Sequence, residues 1–139
     1  MIRKFLYISM LFFVSTNLFA KSEYVKQGIE LYGKQKFEDA KFKFEQGIVY
    51  NPKSELSYLY LSKIFNKQDK KNLEEKNLNT VILLNPKNEE AIYNLAILKL
   101  KSSDYKKSNE LNKKLKSICS KFCSKSDQLK TEIENLSKK

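Results

Sequence analysis

Asn51-Pro52-Lys53-Ser54-Glu55 returns as Asn85-Pro86-Lys87-Asn88-Glu89, with Pro86 thirty-four residues after Pro52. A fixed period of this length marks an array of stacked supersecondary units. Each copy also reads as a joint between two helices. Proline donates no backbone hydrogen bond and pushes the asparagine before it out of the helical region, so a helix stops there. Ser54 and Asn88 are good N-caps, and Glu55 and Glu89 set negative charge at the positive end of the helix that follows. The predicted fold class is all-α.

Outward from these joints, helical stretches alternate with short polar breaks. The pattern predicts a first helix over about Glu23 to Gly33, with Gly33-Lys34-Gln35-Lys36 as its turn, and a second from Phe37 to Tyr50. A helix from Glu55 to Phe65, a break at Asn66-Lys67-Gln68-Asp69 and a helix ending near Leu84 make the second pair. The third covers Glu89 to Leu100 and Tyr105 to Ile118, broken at Ser102-Ser103-Asp104. Phe37, Ala40, Phe44 and Ile48 share one helical face, as do Leu111, Leu115 and Ile118. No stretch alternates like a surface strand, and three glycines leave few sheet turns. Ser124-Lys125-Ser126-Asp127 resembles a capping box. Leu129, Ile133 and Leu136 then give a last amphipathic helix that covers the apolar end of the stack, as a terminal unit requires.

These residues resemble the tetratricopeptide repeat family, whose pattern runs aromatic, Leu-Gly, Tyr, then Ala, Phe and Pro. Tyr24, Gly28, Leu31, Ala40, Phe44 and Pro52 take those places in the first repeat, with Gln27 in place of the leucine. The second supplies Tyr58, Leu61, Ser62, Phe65, Leu78 and Pro86, but sets Glu74 where alanine belongs, which implies a looser contact or a shifted register. In the third, Ala91-Ile92-Tyr93-Asn94-Leu95-Ala96 and Asp104-Tyr105 match well, while Ser108, Asn112 and Ser120 replace alanine, phenylalanine and proline. The small residues Gly28, Ser62 and Ala96 allow close approach within each pair. The resemblance implies three tandem helix-turn-helix repeats, at about 21–52, 53–86 and 87–120, in a right-handed superhelix, followed by a capping helix at 121–139.

It also implies a concave groove lined by the first helix of each pair. Tyr24, Gly28 and Leu31 point at the paired helix, and one position along turns about 100°, to Val25, Ile29 and Tyr32. Their equivalents are Leu59, Lys63 and Asn66, then Tyr93, Ile97 and Leu100, with Lys101 as a further polar point. Such a groove suits an apolar or amphipathic peptide segment with an acidic group tethered by lysine. The same residues read equally well as core, covered by the last helix. In so short a groove a peptide binds on the order of micromolar, about −8 kcal/mol.

The chain opens Met-Ile-Arg-Lys and runs apolar from Phe5 to Ala20, which reads as a signal peptide over residues 1–20. Its apolar run falls short of the ~20 residues needed to span a bilayer. Removal takes the formal charge from +11 to +9, through Arg3 and Lys4. The lysines are spread along the helices, as on a solvated face. The reading is therefore an exported protein, periplasmic or secreted, most naturally in a bacterial envelope. Its expected partner is another protein, not nucleic acid. Association of a basic protein with anionic membrane or cell-wall polymer is the alternative.

Cys119 and Cys123 are the only cysteines. In an exported chain an even count suggests a disulfide. Side chains four apart on a regular helix stand about 5–6 Å apart, too far for the roughly 3.5–4.5 Å of a bridge. The pair is therefore reduced, or the helix breaks between Ile118 and Ser124. The capping box favours the break and the bond, as a clip that stabilises by about 2 kcal/mol. With no histidine, the commonest general base and His-dependent triads are missing. Two thiols make no ordinary zinc site, and no glycine-rich phosphate loop occurs. Glu74-Glu75 and Glu89-Glu90 read as solvated pairs. No enzyme, metal or cofactor is expected; the reading is a protein–protein interaction scaffold.

Overall fold

The computed structural model describes residues 23–138, so the expected signal peptide lies outside the described residues. Those residues form seven helices and no strand: α1 (23–33), α2 (Phe37–Tyr50), α3 (Glu55–Lys67), α4 (Lys71–Leu84), α5 (Glu89–Lys101), α6 (Tyr105–Ile118) and α7 (Cys123–Leu136). Their boundaries keep one period. First helices close at 33, 67 and 101, and second helices open at 37, 71 and 105 and close at 50, 84 and 118. The sequence reading stopped α3 at Phe65 and α5 at Leu100, two residues and one residue early.

Two kinds of joint recur at that interval. Between pairs, Asn51 and Asn85 end their helices with near-identical backbone angles (φ −142°, ψ 87° and φ −139°, ψ 92°). Their carbonyls accept from Ser54 N at 2.9 Å and Asn88 N at 3.0 Å. The expected caps are present: the Asn88 side chain accepts from Ala91 N at 2.7 Å, and Ser54 Oγ accepts more weakly from Ser57 N at 3.4 Å. The two prolines therefore occupy matching turns.

Within pairs, the first helix ends on a left-handed residue: Gln35 (φ 59°), Asp69 (φ 53°) and Ser103 (φ 60°). The next amide reaches back five residues at each site, Lys36 N to Leu31 O, Lys70 N to Phe65 O and Asp104 N to Lys99 O, all at 2.9 Å. These are Schellman closures made without glycine. Gly33 closes α1, as the sequence reading had it, and has no positive φ; the left-handed position is Gln35.

The chain divides into two compact units within α3, one ending at Tyr60 and the other starting at Leu61. In the first, Gly28 permits the approach of α1 to α2: a Cβ there would stand 2.7 Å from Phe44 Cε1, which is fully buried. Phe44 stacks on Tyr60 at 5.0 Å, and Tyr32 meets both Tyr60 and Phe37 edge-on at 5.2 and 5.4 Å. In the second unit α4 packs on α5, α5 on α6 and α6 on α7, around Ile64, Leu78, Val81, Ile92, Leu115 and Leu129.

The departures from the repeat pattern are matched by polar partners. Ser108, fully buried, donates its hydroxyl to Ala96 O at 2.8 Å. Asn112 is also buried; it donates to Ser126 O at 2.9 Å and accepts from Ser126 Oγ at 2.8 Å, tying α6 to α7. Glu74 does not loosen its contact. It is 4 % exposed, and both its oxygens accept from Asn66 Nδ2, at 3.0 and 3.1 Å.

The capping box is not formed. Helix α7 starts at Cys123, with Phe122 in the N-cap position and no side-chain cap, so Ser124 lies inside the helix. The break falls at residues 119–122, where Cys119 and Cys123 are bridged with Cα atoms 5.2 Å apart.

Candidate functional site

The predicted groove residues divide between the two units. In the first, Val25 and Ile29 are half-buried, and a Cβ placed on Gly47 of α2 would meet Val25 Cγ2 at 3.4 Å, so Val25 leans on the paired helix. Tyr32 belongs to the aromatic cluster with Phe37 and Tyr60. Leu59 is 4 % exposed and offers almost nothing to a ligand.

In the second unit, Leu100 is likewise core, at 5 % exposed. A turn of about 100° away from the packed stripe leaves a leucine at the margin of the core, where neighbours close over it. Asn66 commits its amide to Glu74. Lys63 Nζ pairs with Glu90 Oε1 at 2.7 Å, linking α3 to α5. Ile97 is half-buried and Lys101 exposed, so both keep surface on α5. Tyr93 meets the Phe122 ring at 5.6 Å, and Lys125 Nζ stands 5.3 Å from the Tyr93 ring and 4.4 Å from that of Phe122. The cover expected from the last helix is thus partial: it reaches Tyr93.

Neither carboxylate pair is simply solvated. Glu75 Oε1 takes Lys99 Nζ at 2.6 Å, from α4 to α5. Burial raises the Glu74 carboxyl above its usual range, outweighing the Asn66 hydrogen bond and the charge of Lys101, which lower it. Glu89 is the reverse case. It accepts from Ser120 N (2.8 Å), Ser120 Oγ (2.7 Å), Lys121 N (2.9 Å) and Phe122 N (2.8 Å). The Ser120 hydroxyl first, with those three amides, holds its carboxyl at about 2 despite partial desolvation. One side chain from the start of α5 thereby satisfies the amides leading into α7.

The sequence reading missed that α7 continues the series of first helices. Helices α3, α5 and α7 open at Glu55, Glu89 and Cys123, a constant step, so α7 stands in the register of a further first helix. The positions matching Tyr93, Ile97 and Leu100 are Asp127, Thr131 and Glu134, all exposed. Lys116 of α6 pairs with Asp127 at 2.7 Å. The signal was the interval from Glu89 to Cys123, hidden because no Asn-Pro marks it.

The TPR2B domain of yeast Sti1, in its complex with pHsp70, superposes with a TM-score of 0.78 at 15% identity, covering 85% of this chain and 98% of that one. The chain has the tetratricopeptide-repeat fold. Other solved tetratricopeptide-repeat-like structures agree. The Yersinia enterocolitica type III secretion chaperone SycD, in complex with a peptide of the translocator YopD, gives 0.75 at 15% identity over 85% of this chain and 94% of that one. The first TPR of Spaghetti (RPAP3), bound to the HSP90 peptide SRMEEVD, gives 0.75 at 11% over 84% and 93%. No family model and no curated protein matches the sequence. Among the described residues, this tetratricopeptide-repeat chain has no helix long and apolar enough to cross a membrane and no group of three or more His, Cys, Asp or Glu placed to hold a metal.

Proposed function

We propose that this chain is a protein–protein adaptor of the cell envelope or secreted space, taking an apolar or amphipathic segment on the α5 face of its second unit. The observation that carries this is the surface kept by Ile97 and Lys101, beside the half-covered ring of Tyr93, in a fold whose neighbours hold peptides. Ile97 and Tyr93 supply apolar contact, and Lys101 is the cation for an acidic group. Lys63 serves only if the ligand displaces Glu90. Export is supported by the leader-like opening and by the disulfide, which persists in oxidising compartments.

The test is affinity isolation from the native envelope, peptide mapping of what is retained, and titration of the mapped peptide. Ile97→Asp should weaken binding at least ~10-fold, about 1.4 kcal/mol, with the helical circular dichroism unchanged. Equal binding by the variant overturns the site. Binding that collapses between low and high salt favours the polyanion reading, since screening weakens exposed charge contacts and leaves apolar ones.

A further inference from the structure

The joint between α6 and α7 is built differently from the two that precede it. Those use Asn-Pro with a serine or asparagine cap; this one has neither proline nor side-chain cap. Two other devices hold it. The Cys119–Cys123 disulfide closes a five-residue ring over residues 119–123. Glu89 accepts three successive amides of that same turn and the Ser120 hydroxyl. The amides of Ser120, Lys121 and Phe122 converge on one carboxylate only while the turn stays bent, and the disulfide is what closes the bend. Phe122, at the end of the turn, is then set against Tyr93. The turn also borders an open hollow of about 290 Å³, lined by Lys87, Glu90, Lys121 and Phe122 among others, which leaves it accessible from solvent.

We infer that the Cys119–Cys123 disulfide is a redox-responsive latch, whose reduction frees the 119–122 turn, breaks the Glu89 contacts and lifts Phe122 from Tyr93. The reductant is a dithiol. One of its thiolates attacks a sulfur of the bridge to give a mixed disulfide, and its second thiol resolves that intermediate. The dithiol leaves as a disulfide, and two protons end on the Cys119 and Cys123 thiols. Cys123 is the first residue of a fourteen-residue helix, so attack at Cys119 expels the sulfur that the helix N-terminus stabilises as thiolate. Helix α7 stays docked meanwhile, because buried Leu129 and Ile133 and the Ser126–Asn112 hydrogen bonds hold it without the bridge. Reduction therefore acts on the turn and on the exposure of Tyr93. Its effect on peptide capture rests on the function proposed above; the latch itself does not.

Amide hydrogen exchange on the ligand-free chain, oxidised and after treatment with dithiothreitol, tests the latch separately from peptide binding. In the oxidised chain the amides of Ser120, Lys121 and Phe122 should be protected. Reduction should speed their exchange by ~30-fold, the loop-closure contribution of about 2 kcal/mol for so small a ring, with α4, α5 and most of α6 unchanged. The Cys119→Ser, Cys123→Ser double variant should match the reduced chain. In Glu89→Ala the three amides should exchange fast in both redox states, because the acceptor is gone. Equal protection of the three amides in oxidised and reduced wild-type chain overturns the proposal, as does a bridge that dithiothreitol leaves intact in the folded protein.

Discussion

Glu74 sits in the row that Ala40 and Ser108 fill in the other two pairs, all three buried. Its carboxyl is raised by burial more than the Asn66 hydrogen bond and Lys101 lower it, and the nearby charge of Asp69 adds to the rise. A carboxyl raised on folding contributes its full stability below its ordinary value of 4.5, and that contribution is lost as pH climbs through the elevated value. Ionised Glu74 is thus a liability at neutral pH. Glu74→Gln keeps an acceptor for Asn66 and removes the charge, so its melting temperature should exceed that of wild type by a few degrees at pH 7 and by less at pH 4. Calorimetry at both values checks this; a less stable variant at pH 7 would mean that attraction to Lys101 outweighs burial. From sequence, this residue looked like a defect. Asn66, the partner that makes it tolerable, lies eight residues earlier across a turn whose geometry carries no sequence mark. Ser108 and Asn112 were unreadable for the same reason, since their acceptors are a carbonyl on α5 and a serine on α7.

Among the elements, the ends of α2 and α4 were legible because proline enforces them. The start of α2 and both termini of α6 also agree with the sequence reading, without one. Helix ends were misread at α3 and α5, where the stop is a left-handed aspartate or serine, Asp69 or Ser103, that no glycine announces. The residue after each of those turns has one backbone geometry, with Lys36, Lys70 and Asp104 at φ −82°, −89° and −85° and ψ 69°, 68° and 68°. Only the aspartate caps its helix, accepting from Lys107 N at 3.0 Å. Lys70→Asn should therefore give α4 the cap it lacks and add ~1 kcal/mol of stability in urea denaturation. Asparagine is preferable to aspartate there because Asp69 and Glu74 already crowd that turn with negative charge. An unchanged midpoint would show that solvent already satisfies those amides.

For the molecule as a whole, the decisive question is what ends the array. Helix α7 buries Leu129 and Ile133 against the third pair and turns Lys125, Gln128, Glu132 and Asn135 to water. Ending the chain after Ile118 would strip that cover from α6. Loss of the two α7 side chains alone removes about 3–6 kcal/mol of apolar burial. The shortened chain should melt well below the parent and bind a hydrophobic dye; parental stability would demote α7 to an ornament. The need for such a cap was legible from Leu129, Ile133 and Leu136. How it begins was not, since the cue is a carboxylate more than thirty residues upstream.

Because α7 opens one full step after α5, and the carboxylate that seats it stands first in α5 as Glu55 stands first in α3, the protein contains its own rule for lengthening. A thirty-four-residue module spliced in behind Ile118, with a glutamate opening its first helix, would hand the terminal cap an identical seat. Ancestors or engineered descendants of different length could thus share one ending.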